Sequence, residues 1–217
     1  MDPIEVLRRL WQQRRFALPA TLIAVIAAAL TFAYGPRDYE STADYAVVNP
    51  NIPTSAQILA DPTLGTLNSN NPYLRSPDPS LVASVVTTQL NAPSTADILK
   101  SMGLGTTYTV APSVNGSGFI VEITGTGGTP AQSLATTKEL GSMFVSNLRG
   151  IQTVNGADEH YLYTAILASP PDRATEKISS RLRTVIIVAV IGVILIFGSV
   201  SLGSSLSARR RRREQAA

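Results

Sequence analysis

The 217-residue chain has no cysteine, a single histidine (His160), a single tryptophan (Trp11) and only 15% charged residues. Without cysteine there is no disulfide scaffold, no thiolate nucleophile and no cysteine-ligated zinc or iron–sulfur site. One histidine excludes a multi-histidine metal centre. A soluble chain usually carries about 25% charged residues. Here 44% of residues are hydrophobic and the mean hydropathy lies above zero, so apolar blocks are joined to polar sequence.

Those blocks lie near the two ends. Phe16 to Tyr34 reads FALPATLIAVIAAALTFAY, 19 residues with no ionisable group before Tyr34. At about 1.5 Å per residue it spans roughly 28 Å, close to the thickness of a hydrocarbon core. Val185 to Leu202 is a second run of 18 uncharged residues, extendable to Leu206. Both exceed the 10–14 residues of an ordinary buried helix, which predicts two membrane-spanning helices. A signal peptide is the competing reading of residues 1–34, with Thr31-Phe32-Ala33 as a poor cleavage site. The long apolar stretch and bulky Tyr34 favour a retained anchor.

Charge then orients the chain. Residues 1–15 carry +2 through Arg8, Arg9, Arg14 and Arg15, residues 35–184 carry −3, and residues 203–217 carry +4 through Arg209, Arg210, Arg211, Arg212 and Arg213. Arginine near membrane ends prefers the cytoplasm, which predicts a two-pass cell-membrane protein with both termini inside. Arg181 and Arg183 locally oppose this rule, but they border a long translocated domain, where such charges bias topology less. The expected organisation is a cytoplasmic segment (1–15), a first transmembrane helix (16–34), an extracytoplasmic domain (35–184), a second transmembrane helix (185–202) and a basic cytoplasmic tail (203–217). The Arg209–Arg213 run is read as an anchor for topology and anionic lipid.

Between the anchors, Tyr39–Val48 alternates and is rich in β-formers, so it reads as a strand. Residues 49–79 are dense in Pro, Asn, Ser and Thr, predicting irregular chain with one short helix near Ser55–Leu59. Leu81, Val82, Val85, Val86 and Leu90 form a helical face, Ser94 begins a second short helix, and Gly103 stops it. Strands are expected at Thr106–Ala111 and Gly118–Gly125 around Asn115-Gly116, a hairpin signal. Thr129 and Pro130 open a long helix with apolar face Leu134, Leu140, Phe144, Leu148 and Ile151, reaching Gln152. A last strand alternates Tyr161, Tyr163, Ala165 and Leu167. The fold class is one α+β domain flanked by two transmembrane helices, its first and last strands close together.

Chemistry is sparse. No phosphate-binding P-loop is present. Gly125-Thr126-Gly127-Gly128 precedes a helix and could cradle an anion, but a flexible strand-to-helix turn is the plainer reading. His160 beside Asp158 and Glu159 suits a solvated turn better than a catalytic base. Asn115-Gly116-Ser117 matches a glycosylation acceptor, a triplet common by chance. No cofactor, metal, catalytic residue or nucleic-acid partner is expected. In the apolar segments, Ala20, Ala24 and Ala28 make a ridge of small residues. Ala189, Gly192, Gly198 and Ser199 supply small positions on the second helix, so these seven are candidate helix–helix or partner contacts. Gly192 and Gly198 lie about 120° apart around a helix and need not serve the same contact. Neither apolar run contains a charge, which argues against a proton or ion pathway.

The layout resembles the polysaccharide co-polymerase, or Wzz-like chain-length determinant, family. The resemblance rests on Ile4-Glu5-Val6-Leu7-Arg8-Arg9-Leu10-Trp11, the strand Tyr39–Val48, Asn71-Pro72-Tyr73-Leu74, and the strand Gly118–Thr124 with its following helix. Pro170-Pro171 leading through Arg181 into a glycine-containing helix completes it, covering almost the whole chain as layout. The Asn-Pro-Tyr-Leu element and basic tail are most similar to actinobacterial and other Gram-positive-type members. The short interstrand region implies reduced extracytoplasmic helices, and a tail without tyrosine or ATP loop implies no fused kinase domain. What the resemblance implies is a non-enzymatic, homo-oligomeric membrane protein in contact with membrane lipids. It would act beside a membrane polymerase or glycosyltransferase and set the length or output of a cell-envelope polysaccharide. The alternatives are an accessory subunit of another membrane enzyme or of a cytoplasmic tyrosine kinase, and an extracytoplasmic ligand sensor.

Overall fold

The computed structural model describes residues 14–76, 78–114 and 118–214, with side chains for 18–76, 78–114, 118–179 and 181–199. Two compact units partition it. Residues 38–176 form one; the flanking residues, up to 37 and from 177, form the other.

The central unit is α+β with one antiparallel sheet. Strand β1 (Tyr39–Val48) is followed by a short helix α1 (Ser55–Ala60), two 3-10 turns (Pro62–Thr66 and Pro72–Arg75), α2 (Pro79–Leu90), α3 (Pro93–Ser101), β2 (Tyr108–Pro112) and β3 (Ile120–Gly127). The long helix α4 (Pro130–Gln152), β4 (Thr164–Ser169) and a two-residue β5 (Thr175–Glu176) complete it. The strand order is β2-β3-β1-β4, with β5 also pairing with β1. Residue partners Tyr39 with Glu176 and Val48 with Thr164 show that β1 meets both β5 and β4 along one side. The expected closeness of the first and last strands is thus direct pairing.

Caps explain where the helices begin. Thr54 and Gln57 exchange bonds in a capping box, which holds α1 although none of its residues is buried. The Asp78 carboxylate accepts from Ser80 N at 2.8 Å and Pro79 fills the first position of α2. Thr129 Oγ1 accepts from Gln132 N at 3.1 Å and opens α4 in the same way. Helix α3 differs from expectation: Pro93, not Ser94, takes its first position, and Ala92 before it provides no side-chain cap. Proline's fixed φ starts the helix unaided. Gly103, at φ 71°, stops it, a conformation that costs glycine little.

The odd-numbered face of β1 and β3 packs on the helices. Val47, Val121 and Ile123 meet Val82, Val86 and Leu90 of α2, Leu99 of α3, and Leu140, Phe144 and Leu148 of α4. Burial of such side chains stabilises by about 1.5–3 kcal/mol each. The expected apolar face of α4 holds only in its C-terminal half, since Leu134 is half-exposed and the buried residues one turn either side are Ser133, Thr136 and Thr137. Three further expectations are corrected. The hairpin strands β2 and β3 each begin two residues later than the sequence suggested. The last strand starts at Thr164 because Glu159–Tyr161 forms a 3-10 turn capped by Asp158. Leu167, one of its expected alternating positions, is exposed, as is Ile166 on the opposite face. The Asn115-Gly116-Ser117 turn lies outside the described residues.

The flanking unit contains helices α5 (Arg14–Tyr34) and α6 (Ile178–Glu214). Helix α6 begins seven residues before Val185 and continues through the Arg209–Arg213 run, where no proline interrupts it. Its stretch Arg181–Ser199, 19 residues, is long and apolar enough to cross a membrane, and only 6% of it is buried in the protein, unlike a soluble core helix. Among the described residues it is the one helix that meets this test. The apolar part of α5 described in full, Leu18–Tyr34, is shorter. The N-terminal segment 1–13 lies outside the described residues.

Candidate functional site

The small residues of the two apolar helices divide sharply in what they touch. On α6, Gly192 is buried, while Ala189 and Gly198 are exposed. Val185, Val188, Ile196 and Ser199 are half-buried on the same face as Gly192, at spacings of three or four residues. On α5, Ala20, Ala24, Ala27, Ala28 and Thr31 are half-buried at matching spacings. Apolar positions that recur on average every 3.5 residues let two helices interlock with a left-handed crossing. The helices approach closely at Gly192, where an added Cβ would stand 2.7 Å from Ala24 Cβ, below any tolerable contact. Glycine is required there by the neighbouring helix.

Beside that contact runs a narrow apolar cleft of about 290 Å³, lined by Ala20, Ala24, Ala27, Val188, Gly192 and Ser199 among others. The Ser199 hydroxyl donates to Ile196 O at 2.8 Å, and Thr31 Oγ1 donates to Ala27 O at 2.8 Å. Both hydroxyls are thereby satisfied within their own helices, which suits an apolar surrounding. Of the sequence-derived candidates, Ala20, Ala24, Gly192 and Ser199 come together, and Ala28 lies on the same side of α5. Ala189 and Gly198 do not join them. A Cβ at Gly198 would meet nothing within 4 Å. One contact was invisible in the sequence: the Arg181 guanidinium lies 5.8 Å from the Phe32 ring centroid, within cation–π range. No local pattern pairs residues so far apart. The side chains of Arg209–Arg213 lie outside those described; their backbone is helical.

In the central unit the glycine loop is occupied by its own helix. Gly125 N donates to Thr137 Oγ1 at 3.1 Å and Gly128 N to Gln132 Oε1 at 2.9 Å. A Cβ at Gly127 would lie 2.7 Å from Ser133 N. These glycines let β3 approach α4 closely, and two of their N–H groups already have partners. His160 is exposed, its Nδ1 2.9 Å from Asp158 Oδ1. The imidazole's side-chain hydrogen bond, helped by the His160 N–H, lowers the Asp158 carboxyl below its ordinary range. The adjacent pair, Arg149 with Glu159, is exposed as well. Among the described residues no three carboxylate or histidine side chains gather to hold a metal ion.

Sequence reasoning missed a buried amide junction. Asn71 Nδ2 donates to Gln152 Oε1 and to Tyr161 O, both at 2.7 Å. Gln152 Oε1 also accepts from Tyr163 N at 2.7 Å, and its Nε2 donates to Tyr163 O at 3.0 Å. The Asn71-Pro72 turn, the end of α4 and the start of β4 are thus locked together. Asn71 and Gln152 are separately conspicuous in the sequence, one before a proline and one at a helix end, but nothing local shows that they meet. No protein-family model and no curated protein matches the chain.

Proposed function

We propose that the protein is a non-enzymatic, two-pass membrane co-polymerase, a Wzz-like regulator of the length or output of a cell-envelope polysaccharide. In this reading α5 and α6 span the bilayer, both termini are cytoplasmic, and residues 38–176 work outside beside a membrane polymerase or glycosyltransferase. The observation that carries it is the chain's architecture: one α+β unit closed by β1–β4 and β1–β5 pairing, with an apolar helix leading in and another leading out. The low burial of Arg181–Ser199 favours a lipid-facing role for α6. Charge adds orientation, with five consecutive arginines beyond that stretch and a net acidic centre. Helix α5 extends 21 residues from Arg14, about 31 Å, which also reaches across a hydrocarbon core. The seam at Ala24 and Gly192 is the natural place for the two spans to pack, leaving Gly198 for a neighbouring membrane protein or a second copy.

Affinity purification in mild detergent followed by mass spectrometry tests the reading. A membrane polymerase or glycosyltransferase should co-purify. Recovery of a cytoplasmic tyrosine kinase in its place would assign the chain to an adaptor role.

A further inference from the structure

An open groove of about 830 Å³ lies in the central unit between the 69–75 segment and the loop at 155–161. Its walls are tied together at three points. Asn70 Nδ2 donates to Asn155 O at 3.2 Å, Asp158 N donates to Asn68 Oδ1 at 3.2 Å, and Asn71 Nδ2 reaches Tyr161 O. The groove is therefore held in shape before any ligand arrives, which lowers the ordering cost of binding. Its volume lies in the range of small-molecule sites, although it is shallower and more polar than most.

Beside the committed Asn71 amide, the lining carries several uncommitted hydrogen-bonding groups. The side chains of Ser69, Asn155, Arg75 and Tyr161 make no hydrogen bond or ion pair among the described residues, and Asn70 keeps its carbonyl oxygen free. Hydroxyl and amide groups both donate and accept, so they match a ligand carrying many hydroxyls in varied directions. Tyr161, half-exposed, adds a flat apolar ring with a polar tip. The exposed Arg75 guanidinium offers a paired-donor fork that a carboxylate complements in a bidentate pair. A peptide strand would need deeper apolar pockets for its side chains, and only Ile52, Pro72 and Leu74 are apolar here.

We propose that this groove binds a carboxylate-bearing saccharide chain, with Arg75 on a uronate group, Tyr161 under a sugar ring, and Asn70, Asn155 and Ser69 on hydroxyls. The inference deepens the co-polymerase reading and rests on it in one respect, that the domain meets glycan. Full-length protein in detergent is titrated with hexamannuronate and, separately, with maltohexaose, by calorimetry. Hexamannuronate should bind, more tightly than maltohexaose and more weakly as salt rises. Arg75→Gln should weaken it about tenfold, as expected for losing one charge-assisted pair, with unchanged thermal melting. Tyr161→Ala should weaken both sugars, and Tyr161→Phe should retain most of the affinity. No binding of hexamannuronate, or binding that Arg75→Gln and Tyr161→Ala both leave intact, overturns the inference. Co-purification with a polymerase alongside absent sugar binding would remove the groove proposal alone. Sugar binding without any such partner would leave the groove and remove the co-polymerase reading.

Discussion

Single positions decide stability or packing in this protein. Thr137 Oγ1 lies 2.6 Å from Ser41 Oγ, 2.9 Å from Ser41 O and 3.1 Å from Gly125 N, all buried. Thr137→Val keeps the shape but takes the hydroxyl acceptor from the buried Gly125 N–H and leaves the Ser41 hydroxyl with Ser133 Oγ alone, so it should destabilise the domain by about 1–3 kcal/mol in a denaturant titration. Phe144→Ala should cost more, about 3–5 kcal/mol, because it empties the centre of the core. Gly192→Leu should force α5 and α6 apart. Cysteines at Ala20 and Ser199, on the walls of the apolar cleft, should then lose oxidative cross-linking, whereas Gly198→Leu should preserve it. Equal cross-linking in both variants would contradict the assigned seam. The absence of native cysteine makes this experiment clean. His160→Ala should leave any cellular phenotype intact, since the ring is exposed and its hydrogen bond is to Asp158 within the same surface turn.

At the scale of elements, three aspartates start helical turns in the central unit. Asp61, Asp78 and Asp158 each accept hydrogen bonds from the residue two positions on, and those bonds hold each carboxyl below its ordinary range. A carboxyl lowered in the folded state stabilises the fold above the unfolded value, near pH 4, and that contribution is lost as pH falls through the lowered value. The melting temperature should therefore fall as pH is taken below about 4, and Asp78→Asn should flatten part of that dependence. A melting profile independent of pH between about 5 and 2 would contradict the cap assignments. These elements were legible where the signal is local. Thr129-Pro130 opening α4, Gly103 ending α3 and the alternation of β1 all appear in the structure. The hydroxyl half of α4 was not legible, because Ser133, Thr136 and Thr137 read as a polar surface until Ser41 and Gly125 of the sheet are brought against them. The seam between α5 and α6 was half legible. Small residues mark both helices, but only the partner helix distinguishes Gly192, which it contacts, from Gly198, which it does not.

For the whole molecule, the order of elements sets one α+β unit between two apolar helices, and the proposed function makes that unit a membrane-bracketed domain. Single cysteines introduced at exposed Leu59 and in the tail after Arg213 should differ in reactivity toward an impermeant thiol reagent on intact cells. Leu59→Cys should be labelled and the tail cysteine protected. Labelling of both, or a mature N-terminus near Tyr34, would sink the two-pass topology. The most direct test of the co-polymerase account is the size distribution of the envelope polysaccharide in cells lacking this chain and in cells given it back. The account predicts an altered length or output with unchanged repeat composition, restored by the wild-type protein. A glycan profile indistinguishable in length and amount, with the chain absent, would contradict it.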